Sequence, residues 1–178
     1  MYINHATHAG LAEAYTATRM ANPLFNQFCE LPVCQQMQID ESMQLFSCLD
    51  VVTYDAGTMI YEAGSETDRT MRMIVDGSAT VSTAASGDSS DYIRLSSGDV
   101  FGLFSFLDEE RPHSATVRAA SDLTLLCMNR DYFNLISVED AVLGNLVLRF
   151  MFRLLSGMSL KQENEYAAIH HYVTGRYS

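Results

Sequence analysis

Positive charge is scarce in this chain: 11 Lys and Arg stand against 22 Asp and Glu, for a formal net charge of −11 and a pI near 4.7. No stretch gathers the basic residues. Binding to a phosphodiester backbone depends on Lys and Arg displacing its counterions, so attachment to nucleic acid or to an anionic membrane through bulk charge is excluded. Long apolar runs are missing too. The opening "MYINHATHAGLAEAYTATRMANPLF" lacks the unbroken apolar segment of a secretory signal. Nowhere are there the roughly 18 consecutive apolar residues of a membrane span. Cys29, Cys34, Cys48 and Cys127 keep neither a disulfide-framework nor a zinc-type spacing. They read as reduced, buried thiols of a cytoplasmic protein. Histidine collects at the ends, as His5, His8, His170 and His171, leaving His113 alone in between. Terminal histidines are ordinarily solvated, and no metal site is expected.

What is present suits one structural domain: 178 residues, 48% hydrophobic and 19% charged, enough to bury a core. Residues 1–48 form a helical segment, interrupted. "GLAEAYTATRMA" places Leu11, Ala14 and Tyr15 at helical spacing. "NPLF" offers an asparagine cap with proline at the first helical position. Pro32 is expected to open a further helix in "LPVCQQMQIDESMQLFSCL", turning Val33, Met37, Leu45, Phe46 and Leu49 inward.

From residue 49 to 136 the period changes. Short runs such as "VVTYDA", "TMIYEA", "RMIVDG", "ATVSTA" and "LTLLCMN" are punctuated by Gly57, Gly64, Gly77, Gly87 and Gly98. Many short strands with regular turn glycines mark an all-β sandwich, barrel or roll. "ASGDSSD", the most polar piece, reads as a hairpin tip. Over 137–166 the pattern is helical again, before a tail at 167–178. Leu143, Val147, Phe150, Leu154 and Met158 recur at steps of four and three, with Val142, Leu146, Met151 and Leu155 broadening the stripe. Such a helix needs cover on two sides. The β-region supplies one, and a second copy, meeting it through residues 140–160, is the expected other. The alternative is a helix lying wholly on its own domain. Gly144 and Gly157 weaken it by about 1 kcal/mol each relative to Ala.

The order of helices, glycine-punctuated roll, "SSGDVFGLFSF", "RPHSATVRAASDLTLLCMNRDYF" and long terminal helix resembles the cyclic nucleotide-binding domain. This is the sensor module of catabolite-activator-type transcription factors, kinase regulatory subunits and certain channels. The likeness runs from about Pro23 to about Gly157. It implies a mainly β fold with flanking helices, a β-roll of jelly-roll type, N-terminal helices and a long C-terminal helix. It also implies a phosphate-binding cassette at Gly102, Leu103, Phe104, Ser105, His113, Ser114 and Ala115.

Two of those positions depart from the family's pattern. The residue after the cassette glycine is expected to be an acid that accepts a ribose 2′-hydroxyl, and here it is Leu103. An arginine is expected to hold the cyclic phosphate, and here it is His113. A hydrogen bond to a charged group contributes about 1.5–3 kcal/mol, so losing both removes roughly two to four decades of affinity. Histidine replaces arginine only when protonated, and never its two-pronged fork. Arg111 lies close by, but the neighbouring "DEE" competes for it.

The expected function is a stand-alone regulatory domain of weakened or altered ligand recognition, taking cyclic AMP or cyclic GMP weakly if at all. The alternative is a ligand-free dimerisation or protein-interaction module. Catalysis is not expected, because the related cupin roll needs several converging histidines and the β-region holds only His113. Nor is DNA binding: "KQENEYAAIHHYVTGRYS" is too short and too poor in basic residues for a helix-turn-helix domain.

Overall fold

The computed structural model describes residues 22–35, 37–83, 93–108 and 110–174. The helical reading of residues 10–21 and the hairpin tip "ASGDSSD" fall outside them, as do His5 and His8. Helix α1 (Pro23–Glu30) begins as its sequence predicts, with Asn22 Oδ1 accepting from the N–H groups of Leu24 and Phe25 at 3.1 and 3.3 Å. Pro32, in contrast, opens no helix. Residues 32–35 form a turn, and α2 (Ile39–Phe46) starts later. The cause is capping: Glu41 folds back to accept the Gln38 N–H at 3.2 Å, whereas Leu31 before Pro32 has no side chain that can cap.

Among the described residues eight strands follow: β1 (Asp50–Tyr54), β2 (Met59–Tyr61), β3 (Thr70–Asp76), β4 (Ser78–Thr83), β5 (Ile93–Ser96), β6 (Val100–Phe101), β7 (Ala115–Ala119) and β8 (Leu123–Asn129). They make two antiparallel four-stranded sheets, ordered β1-β8-β3-β6 and β2-β7-β4-β5. The first sheet is covered on both faces, and the alternation of its strands shows how. Met71, Met73, Val75, Leu126 and Met128 join the helices in one buried cluster. Ile74, Leu125 and Cys127 lie in a second cluster with Ala79, Val117 and Ala119 of the opposite sheet. By the same alternation Arg72 belongs to the inside of the roll.

Three helices complete the described chain: α3 (Leu103–Leu107), α4 (Arg130–Glu139) and α5 (Ala141–Thr174). The boundary drawn at residue 166 lies inside α5. Leu146, Val147, Phe150, Met151 and Leu154 are buried against the helical side of the roll, and the Phe28 and Phe150 rings stand 6.4 Å apart. Val142 does not share that stripe; it is 78% exposed, one step round the helix from it. Gly144 is no weak point either. A Cβ there would stand 2.9 Å from Ser137 Cα, so the glycine lets α5 fold back closely on α4. Although the sequence has no unbroken apolar run, Ala141–Asn164 has the length and mean hydropathy of a spanning helix. Of its apolar window, 33% is buried on the roll.

Candidate functional site

Gly102, between β6 and α3, has φ +73°. A Cβ at this position would lie 2.4 Å from the Thr70 carbonyl oxygen. Only glycine lets the turn close on the start of β3. The helix that follows turns Leu103, Ser105 and Phe106 inward and leaves Phe104 58% exposed. Leu103 packs within the main core cluster with Phe106, Leu126 and Phe133. The cassette's small residues divide in the same way, since Ser114 is exposed and Ala115 starts β7, half-buried.

His113 is not a surface residue. It is 4% exposed, its ring stacked on Tyr61 with centroids 3.8 Å apart and planes 8° from parallel. Its Nδ1 lies 3.4 Å from Ser105 Oγ. Its backbone is tied to the turn after β2, with His113 N–H donating to Ser65 O at 3.1 Å and Gly64 N–H donating to His113 O at 2.8 Å. Burial pushes the imidazole pKa below the ordinary histidine value, the nearby Arg72 charge adds to this, and Asp68 opposes it. The ring is therefore neutral at neutral pH and offers an anion no charge. Arg111 does not replace it: exposed, it pairs with Asp108 at 3.5 Å.

The cation inside the roll is Arg72, which sequence reading passed over. Its guanidinium is buried, grips the Asp68 carboxylate with both terminal nitrogens, and donates to Thr70 O at 3.0 Å. Its carbon lies 5.7 Å from the Tyr61 ring centre. Burial alone would lower the Arg72 pKa, but the Asp68 carboxylate outweighs it and the net movement is upward. Asp68 mirrors this: burial raises its pKa, and hydrogen bonds and charge from Arg72 bring the net below the usual carboxylate value. Arg72 Nε is buried without a hydrogen-bond partner. The missed signal lay in "TMRMIVD", where Arg72 shares its alternate face with Ile74 rather than with the methionines.

From this cluster the contacts run to α4. Asn129 Nδ2 donates to Asp68 O at 3.2 Å, and Arg69, held at φ +52°, pairs with Asp131 at 2.9 Å. Arg130 Nη1 donates to Phe106 O at 3.2 Å, its guanidinium lying over the Phe106 and Phe133 rings. The turn at Gly102, α3 and the base of α4 are thus one hydrogen-bonded unit. Among the described residues, no three His, Cys, Asp or Glu side chains gather as metal ligands.

Residues 51–139 match the sequence profile of the cyclic nucleotide-binding domain. The chain belongs to that family. A cyclic nucleotide-binding domain from Methylobacillus flagellatus KT is 19% identical, covers 82% of this chain and 83% of its own, and superposes with a TM-score of 0.68. The N-terminal domain of a transcriptional regulator from Streptomyces coelicolor A3(2) is 16% identical over 74% of this chain and 94% of its own, with a TM-score of 0.59. The c-di-GMP-responsive global regulator CLP of Xanthomonas campestris is 12% identical over 75% and 64%, with a TM-score of 0.60. Likenesses this distant in sequence establish the shared fold. No match was found among curated proteins. Leu103 and His113, the two positions where the sequence resemblance leads one to expect an acid and an arginine, are both buried in this chain's own contacts.

Proposed function

We propose that this cyclic nucleotide-binding domain is a regulatory module whose recognition of cyclic AMP and cyclic GMP is weakened. The observation that carries the reading is the closed Tyr61–His113 stack at 3.8 Å, backed by Ser105 on one side and the Arg72–Asp68 pair on the other. A cyclic phosphate seeking a cation there meets a neutral imidazole and a guanidinium already committed to a carboxylate. A sugar hydroxyl seeking an acid at the turn meets Leu103, which belongs to the core. Removing partners of this kind costs decades of affinity. Altered choice of ligand fits the same frame, since one structural relative is described as responsive to c-di-GMP.

Calorimetry with cyclic AMP and cyclic GMP tests the reading. The wild-type chain is expected to bind with Kd weaker than about 100 μM. His113→Arg, which supplies a permanent cation at the cassette, is expected to tighten binding at least about tenfold. Submicromolar binding by the wild type overturns it.

The reading as a dimerisation module has its own support in α5. Ala141, Asn145, Leu148, Phe152 and Ser159 are exposed along one side of α5, and Leu155 between them packs at the edge of the core. Leu148 is 41% and Phe152 69% exposed. An apolar seam at this spacing suits a second copy of the same helix. In a cytoplasmic regulator the two readings combine: the cassette's contacts with α4 would pass a change of occupancy to a dimer helix.

A further inference from the structure

Away from the cassette, a cavity of about 580 Å³ lies where the core face of α5 runs out past the roll. Its size falls in the range of small-molecule sites, roughly 300–1,000 Å³. Val33, from the turn that follows α1, Leu95 of β5 and Val100 of β6 form one wall; Met158 and Leu160 of α5 form the other. Its floor is open at Gly157, where an added Cβ would meet nothing within 4 Å. The cation in this lining is Arg153. Among the described residues its guanidinium makes no hydrogen bond and no ion pair, though Cys34 and Glu41 feel its charge. Asp99, also on the lining, turns a carboxylate oxygen to the N–H and hydroxyl of Ser96 at 2.9 and 3.3 Å.

We propose that this cavity is a second binding site, for a monoanionic aliphatic carboxylic acid. An apolar trough ending in a guanidinium without a partner among the described residues, on a protein of net charge −11, is complementary to an apolar chain with a single negative head. Arg153 receives the carboxylate through a two-pronged hydrogen-bonded pair. The aliphatic walls take the tail. Leu148 and Phe152 are not among the residues that line the cavity. Because β5, β6 and α5 each contribute a wall, an occupant links the long helix to the roll.

Calorimetry of the full chain with octanoate, decanoate and dodecanoate, below their micellar concentrations, tests the site. Each pair of added methylenes is expected to tighten Kd about tenfold or somewhat more while the trough has room. Arg153→Met is expected to weaken decanoate binding at least about tenfold, and decanol is expected to bind the wild type and Arg153→Met alike. Gly157→Leu fills the floor and is expected to abolish binding with the melting temperature maintained, while His113→Arg leaves binding unchanged. Absence of binding at about 1 mM decanoate, a value typical of the weakest specific ligands, overturns the proposal. So does binding indifferent to both Arg153→Met and Gly157→Leu. A change of oligomeric state in Gly157→Leu, seen by sedimentation, also overturns it, because a second copy would then be the occupant.

Discussion

Asp68 and Arg72 form one ion pair in unequal surroundings: the Arg72 side chain is 7% exposed and that of Asp68 46%. Removing the two partners therefore has unequal consequences. Asp68→Ala leaves a buried guanidinium uncompensated and is expected to cost about 3–5 kcal/mol. Arg72→Met returns a half-exposed carboxylate to water and keeps the packing volume, so it is expected to cost less than half as much. Urea denaturation of the two variants checks the order. His113 gives a pH dependence. Its pKa is lowered on folding by burial, with Arg72 adding and Asp68 opposing, so the unfolded chain binds the proton more readily. The associated stability is fully present above the unfolded histidine value of about 6.5 and is lost as pH falls through the lower folded value. Melting temperatures between about pH 7.5 and 5 are expected to fall in the wild type and to fall less in His113→Phe, which keeps the stack without the titration. The Asp68 and Glu41 carboxylates, both with lowered pKa values, lose their contribution only at more acid pH. At this scale the sequence named Gly102, Ser105 and His113 and missed Tyr61, Asp68 and Arg72. Nothing in a linear pattern shows that residues from three separate segments meet inside one roll.

Among the elements, α4 and α5 show how packing overrides propensity. Alanine is a better helix former than glycine by about 1 kcal/mol, and helix propensity alone makes Gly144→Ala stabilising. The structure reverses the sign. The added methyl would stand 2.9 Å from Ser137 Cα and 3.1 Å from Ser137 Oγ, so α5 must move off α4. A loss of about 1–3 kcal/mol is expected on chemical denaturation. The strands were legible because glycines mark the turns between short apolar runs, near-continuous in β3 and β8, which are buried on both faces. The start of α2 was not. Proline at a helix's first turn is permitted but does not by itself satisfy the free N–H groups there, and the Gln38–Glu41 contact that does lies further along the chain.

For the whole molecule the question is what covers α5. One face is buried on the roll, while Leu148 and Phe152 project from the other. Phe152→Ser combined with Leu148→Ser is expected to weaken self-association at least about tenfold in sedimentation. It is expected to leave the melting temperature at high dilution nearly unchanged, since neither side chain supports the roll. A pair of variants that sediments like the wild type removes the dimer reading. By itself the sequence determined the class of fold and the family. Both rest on local pattern: period, turn residues and motifs at fixed spacing. Only the tertiary structure decided that Leu103 belongs to the core and His113 to a buried stack, and that the roll's interior cation is already paired. Burial and pairing depend on which distant segments the sheets bring into contact.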